Sequence, residues 1–453
     1  MTPTAVVIDN ASRFSQLLGS LASLFGLLGL VLPRLEALKV LRAVLRTCDG
    51  MSDGECSYWS ELTAALVHTS GLLASEYARL GKFSRASQVF VQALKQTAEA
   101  KSPVSAGSHA DFRLRHARFL ASIGHIQQAK DEYREAERLM KEIPKSSGGT
   151  LTARYVELCA TSERIALAHG AMAAIRMAEV GNAHSAKLTH QSDVTTAIES
   201  LNIAYRLWCR AAAGISRIAA SASDTTEVAP TVEAESPAAS TDSKKQSKQP
   251  FCLTGKHLGG LQWYYALGVF EATLELVIAL AQRGTVKESE YYLGQAKGMV
   301  PAIRSTALDA RVSAQTAALE ARKAKFESSA DNLRHASEVL AVNDGPDAIE
   351  LKRLRGELYS RQQAAPEAEE FFSKAIDALT NLDEEFKTAE AHTTSPKKEI
   401  KSPIKEPLLP RALGGILRQR AWILREAGEV EEYQNVMQQL ELVSKAAGEK
   451  VRA

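Results

Sequence analysis

The chain has 453 residues, 45% of them hydrophobic, 24% charged and only 6% aromatic, which is ample for one large core or a long array of small ones. Lys and Arg total 55 against 53 Asp and Glu, and a net charge of +2 is too small to steer the chain toward nucleic acid or an anionic membrane, so neither contact is expected. The five cysteines (Cys48, Cys56, Cys159, Cys209, Cys252) show no CxxC or Cys-to-His spacing, which argues against a disulfide framework or a zinc site and fits a reducing compartment. No metal and no cofactor is expected.

The first notable stretch is 14–32. It is uncharged, flanked by Arg13 and Arg34, and has about the 20 residues that span a bilayer. Ser15, Gln16, Ser20, Ser23 and three glycines weaken that reading, and Asp9 before it is wrong for a signal peptide. Ala22, Phe25 and Gly29, followed by Leu38 and Leu41, fit a helix-turn-helix repeat instead, which predicts a buried helix.

The repeat is clearest from Leu73 and Ala74 through Tyr77, Gly81, Ala86, Phe90 and Ala93. Large, small, aromatic, a turn glycine, then A-x3-F-x2-A is the tetratricopeptide pattern. Small residues belong where helices A and B cross closely, large ones fill the groove between them, and the glycine takes the left-handed conformation that ends helix A. The frame returns at Ala117, Leu120, Gly124, Ala129, Tyr133 and Ala136, and at Val277, Leu280, Gly284, Ser289, Leu293 and Ala296. A degenerate copy runs through Ala324, Ser329, Leu333 and Ala336. Another passes Gly356, Tyr359, the turn at Gln363, then Pro366, Ala368, Phe372 and Ala375; the last passes Ala421, Leu424, Gly428, Tyr433 and Met437. The period of about 40 residues exceeds the usual 34, so helices or loops are extended.

Residues 221–250 are rich in Ser, Thr, Ala and Pro and nearly free of large apolar side chains, a composition that cannot offset the entropy of ordering. The stretch 383–408 is similarly polar. The prediction is therefore an all-α, tetratricopeptide-like helical-repeat superhelix (an α-solenoid) with two disordered insertions. Its first helical block covers 1–220, a disordered linker 221–250, and a second helical block 251–453, with the other insertion at 383–408. Shorter breaks are expected at 101–109 and 143–150, and the repeat register is illegible across 151–220.

Catalytic patterns are missing: there is no GxxxxGK[ST], GxSxG, HExxH or GxGxxG, and the ten histidines are dispersed. His169-Gly170 lies in an alanine-rich helix without a cysteine in a nucleophile's setting. Glu369-Glu370 and Asp383-Glu384-Glu385 read as solvated surface. Ser395-Pro396-Lys397-Lys398 and Ser402-Pro403-Ile404-Lys405 both match S-P-x-K, the preference of cyclin-dependent kinases, which makes Ser395 and Ser402 candidate phosphorylation sites. Trp208, Trp422 and the run Trp263-Tyr264-Tyr265 read as helix packing, with a peptide-binding patch as the alternative for the run.

The segment Gly260-Leu261-Gln262-Trp263, with Leu274 to Gly284 and then Glu288-Ser289-Glu290-Tyr291-Tyr292-Leu293-Gly294-Gln295-Ala296, resembles the central helical region of separase. So do Leu28 to Lys39, Gly81-Lys82-Phe83, and Leu408 to Ala412 leading into Arg418–Arg425. Separase is a cysteine endopeptidase that cleaves the cohesin kleisin at anaphase. The resemblance implies a superhelix that binds the disordered inhibitor securin and supports a caspase-like protease module, in the nucleus and cytoplasm, with spindle association. The protease's His-Gly and Cys motifs have no match here, so the resemblance covers the superhelical part only, a fragment or truncated gene model is expected, and no catalytic residue is carried over. The competing reading is an unrelated tetratricopeptide adaptor that docks a peptide in its concave groove, with Ser75, Ala78 and Arg79 lining it.

Overall fold

A computed structural model describes residues 3–50, 58–99, 104–143, 151–182, 189–224, 255–340, 345–393 and 410–448. Among them are sixteen α-helices and no strand. They form eight consecutive hairpins: α1 (Pro3–Leu27) with α2 (Val31–Gly50), α3 (Tyr58–Arg79) with α4 (Phe83–Glu99), α5 (Ala106–Ser122) with α6 (Ile126–Glu142), and α7 (Leu151–Asn182) with α8 (Thr189–Asp224). Then come α9 (Gly255–Arg283) with α10 (Val286–Ile303), α11 (Thr306–Arg322) with α12 (Phe326–Leu340), α13 (Pro346–Arg361) with α14 (Ala365–Thr393), and α15 (Pro410–Ala427) with α16 (Val430–Gly448). The fold is an all-α helical-repeat solenoid.

Every turn read from the repeat frame has the same backbone geometry. Gly29, Gly81, Gly124, Gly284 and Gly428 have φ of 71°, 75°, 91°, 90° and 78°, and Ala324 and Gln363 take φ of 59° without being glycine. Seven residues before each turn stands a small or compact side chain: Ala22, Ala74, Ala117, Val277, Ala317, Gly356 and Ala421. At Gly356 the fit is closest, since a Cβ there would lie 2.7 Å from the Phe372 ring. Where other B helices carry a buried alanine, Ser289 and Ser329 donate to the carbonyls of Val277 and Ala317, each at 2.9 Å, so the hydroxyl stays satisfied inside the hairpin.

The stack folds back on itself. Helix α1 packs against α9, α8 against α9, α4 against α14 and α7 against α15. Ser305 caps α11 by accepting from Leu308 N–H at 3.2 Å, and its hydroxyl donates to Leu28 O at 2.7 Å, a carbonyl left open at the end of α1. One helix segment among the described residues, Gly260–Arg283, is long and apolar enough to cross a bilayer, and 61% of its most apolar window is buried inside the protein.

Several expectations are corrected. Helix α14 runs past residue 383 to Thr393, because Phe386 is 4% exposed and shares a core with Phe83 and Phe90. Helix α8 likewise continues to Asp224. The rest of 221–250 and of 383–408, with Ser395 and Ser402, lies outside the described residues, as do Cys56 and Cys252. The break at 101–109 is shorter than expected, since Ser105 caps α5 from Ala106 onward. The stretch 14–32 turns at Gly29, as the repeat frame places it, but it is not buried throughout. It comprises the end of α1, a turn and the start of α2; Leu18, Ala22 and Leu27 face the core, while Phe14 and Leu17 are 46% and 56% exposed. Trp208 is core, but Trp422 is 55% exposed.

Candidate binding surface

Each A helix turns one stripe of side chains inward at i, i+4, i+7, i+11 spacing. On α3 the stripe is His68, Leu72, Ser75 and Arg79; on α5 it is Asp111, Arg115, Arg118 and Ser122. On α9 it is Glu271, Glu275, Ile278 and Gln282; on α11, Arg311, Gln315, Ala318 and Arg322; on α13, Glu350, Leu354, Glu357 and Arg361. Guanidiniums on α5 and α11 thus face carboxylates on α9 and α13. Arg118 pairs with Glu275, and Arg311 grips Glu271 with both nitrogens at 2.5 and 3.0 Å. Glu357 takes Arg322 at 3.5 Å and Arg353 and Arg361 at 3.1 Å each.

At the crossing of α5, α7 and α9 the polar groups converge. Arg115 donates to the Tyr264 hydroxyl at 2.5 Å and approaches Glu163 at 3.4 Å; Tyr264 and Tyr265 both donate to Glu163, the latter at 3.2 Å. Arg164 holds Asp111 at 2.8 Å. Arg34 reaches across from α2 to Glu76 at 2.8 Å, both groups almost fully buried. Burial raises the Glu163 carboxyl, helped by Asp111 beside it, and burial plus the Arg115 charge lowers His68 to about 3. For Glu271, burial works upward but the Arg311 pair prevails and holds it at about 2.

Three adjoining cavities run along this wall. The first, about 360 Å³, is bounded by α1, α2, α3, α7 and α9 and is mainly apolar, with His68, Arg34 and Tyr264 on its surface. The second, about 290 Å³, shares Arg34, Leu72 and Tyr264 with the first. The third, about 270 Å³, shares Arg118, Ser122 and Glu275 with the second. Ser75, Ala78 and Arg79 all lie on the second cavity, half-buried, with the Ser75 hydroxyl turned to Gly71 O at 2.9 Å. The charged residues around them escaped the sequence reading. The inward stripe would have found them, because it follows directly from counting back from each turn.

Nothing in this wall is arranged as a nucleophile. The Cys159 and Cys209 thiols are raised by burial, which keeps them protonated. His169 is half-buried and its imidazole is lowered by burial alone. Among the described residues no three His, Cys, Asp or Glu side chains gather as a metal site.

No family model matches the chain, and no curated protein matches it. Among solved structures, the crystal structure of the APC/C hetero-tetramer Cut9-Hcn1 is similar at 12% identity over 92% of this chain and 83% of that chain, with a TM-score of 0.23. A likeness of that degree says nothing about function, and the repeat fold rests on the turns and columns described above.

Proposed function

We propose that this chain is a protein-binding scaffold whose inner wall receives an extended polypeptide segment. The observation that carries this reading is the row of adjoining cavities on the A-helix stripe, where Ser75, Ala78 and Arg79 stand beside apolar floor and paired charges. An extended segment suits such a site, since side chains enter the cavities while its backbone runs along the polar stripe.

Within that reading the residues that resemble separase support a more specific one. The chain is a separase-like superhelix that binds a securin-like disordered inhibitor, supports a protease module, and resides in the nucleus and cytoplasm. Mixing the full chain with tagged securin and separating by size tests it. A stable complex is expected, weakened by Ala78→Trp, which narrows the second cavity. A folded chain that ignores securin sinks the separase-like reading. If it instead selects short peptides of another kind from a display library, and Ala78→Trp abolishes that selection, the adaptor reading takes its place.

A further inference from the structure

The first cavity takes its walls from α1, α2, α3, α7 and α9. Ala22 from α1, Leu38 and Leu41 from α2, Leu72 from α3 and Leu261 from α9 make it mainly apolar. An apolar cavity of about 150 Å³ holds a benzene ring. At about 360 Å³ this one is more than twice that size, which gives room for a fused two-ring system.

The charged groups on its walls are already matched. Arg34 pairs with Glu76 at 2.8 Å, and Glu163 accepts from Tyr264 and from Tyr265, the latter at 3.2 Å, with Arg115 at 3.4 Å. A cation or anion entering here would lose its water and find no free counter-charge, so a charged guest is disfavoured. The Ser23 hydroxyl is likewise engaged, donating to Gly19 O at 3.0 Å. His68 is different. Its ring lies on the cavity wall in a T-shaped arrangement with Tyr264, centroids 6.1 Å apart, and makes no hydrogen bond among the described residues. Burial and the Arg115 charge keep the imidazole neutral, so one ring nitrogen offers a lone pair to a donor. The guest that complements these walls is large, apolar and uncharged, and carries a hydrogen-bond donor.

We infer that the first cavity is a pocket for an indole ring whose N–H donates to His68. On the scaffold reading above, on which this rests, that ring is a tryptophan of the bound segment. An indole nitrogen is a donor only, so it satisfies the imidazole without burying an unmet acceptor of its own, as a phenol would. Its two rings also bring more apolar surface out of water than any other side chain.

The test titrates the full chain at pH 7 with indole and, separately, with 1-methylindole, which lacks the N–H, read by calorimetry. Indole should bind about tenfold more tightly, the factor one hydrogen bond supplies. In His68→Phe that preference should vanish, which separates the lost donor from the added bulk of the methyl group. Gly19→Phe should abolish binding of both, because Gly19 lines the cavity and a Cβ there meets nothing within 4 Å. Circular dichroism should show both variants folded. No binding of indole by the parent, equal affinity for the two compounds, a preference that persists in His68→Phe, or undiminished binding in Gly19→Phe overturns the inference. A segment from the display library that binds equally well with its tryptophan changed to leucine overturns it too, and leaves the scaffold reading intact. Indole bound as expected while no segment is selected keeps the pocket and withdraws the scaffold reading.

Discussion

Arg34 stands five residues after the Gly29 turn, the position held by Ala86, Ala129, Ser289, Ser329 and Ala368 in other hairpins, and it is 6% exposed. Gly26 makes its room, since a Cβ there would lie 2.5 Å from Nη1. A buried pair of this kind adds little net stability, but removing one partner strands the other. Glu76→Leu should cost about 3 kcal/mol in urea unfolding, while Arg34→Leu/Glu76→Leu should recover most of it. A double variant destabilised by the sum of the two single changes would show that neither charge depends on the other. His68 gives an acid signature of its own. The unfolded chain takes up a proton below about 6.5, whereas the folded chain refuses it until about 3, so stability falls as pH falls through that window. Glu271 stabilises above its unfolded value of 4.5 and loses that contribution as pH falls toward 2. Unfolding measured from pH 7 to pH 4 should therefore be less pH-dependent in His68→Asn than in the parent, the difference opening near pH 6.5 and still widening at pH 4. Neither the buried Arg34 nor the half-buried His68 was legible from sequence, because the residue types that normally mark solvent here line a cavity that only tertiary packing creates.

The turns show what could be read locally. A left-handed residue between two helices follows from the register alone, and Gly81 and Gly124 announce it by type. Ala324 and Gln363 adopt the same geometry with a side chain attached, a strain of about 1–2 kcal/mol. Ala324→Gly and Gln363→Gly should each stabilise by about 1 kcal/mol, seen as a higher unfolding midpoint. Gly284→Ala should lose a similar amount, and there the backbone alone is tested, because nothing lies within 4 Å of the added methyl. A stabilised Gly284→Ala would refute the common geometry. Helix ends were harder. Solvated helix and coil have the same polar composition, so the extension of α14 to Thr393 turns on the single residue Phe386. Trp422 misled for a related reason: it falls on the inward stripe of α15, and residue type alone does not say whether another element covers it.

For the molecule as a whole, repeat character was legible and the fold-back was not. Contacts such as α1 on α9 join residues far apart in the chain, and no periodicity records them. They predict that chains 1–224 and 255–453, expressed separately and mixed, co-elute as one complex. Tyr264→Phe, which removes the hydroxyl linking Arg115 to Glu163 across α5, α7 and α9, should weaken that association. Independent elution of two folded halves would contradict the packing. The seam at Ser305 and Leu28 also has a mechanical meaning. An open solenoid stretches like a soft spring, with each hairpin yielding a little to load. Here the first hairpin is fastened to the start of the sixth, so pulling on the ends meets a stiff body first. Extension begins only after that fastening ruptures, and force spectroscopy would record a discrete yield point ahead of the elastic regime.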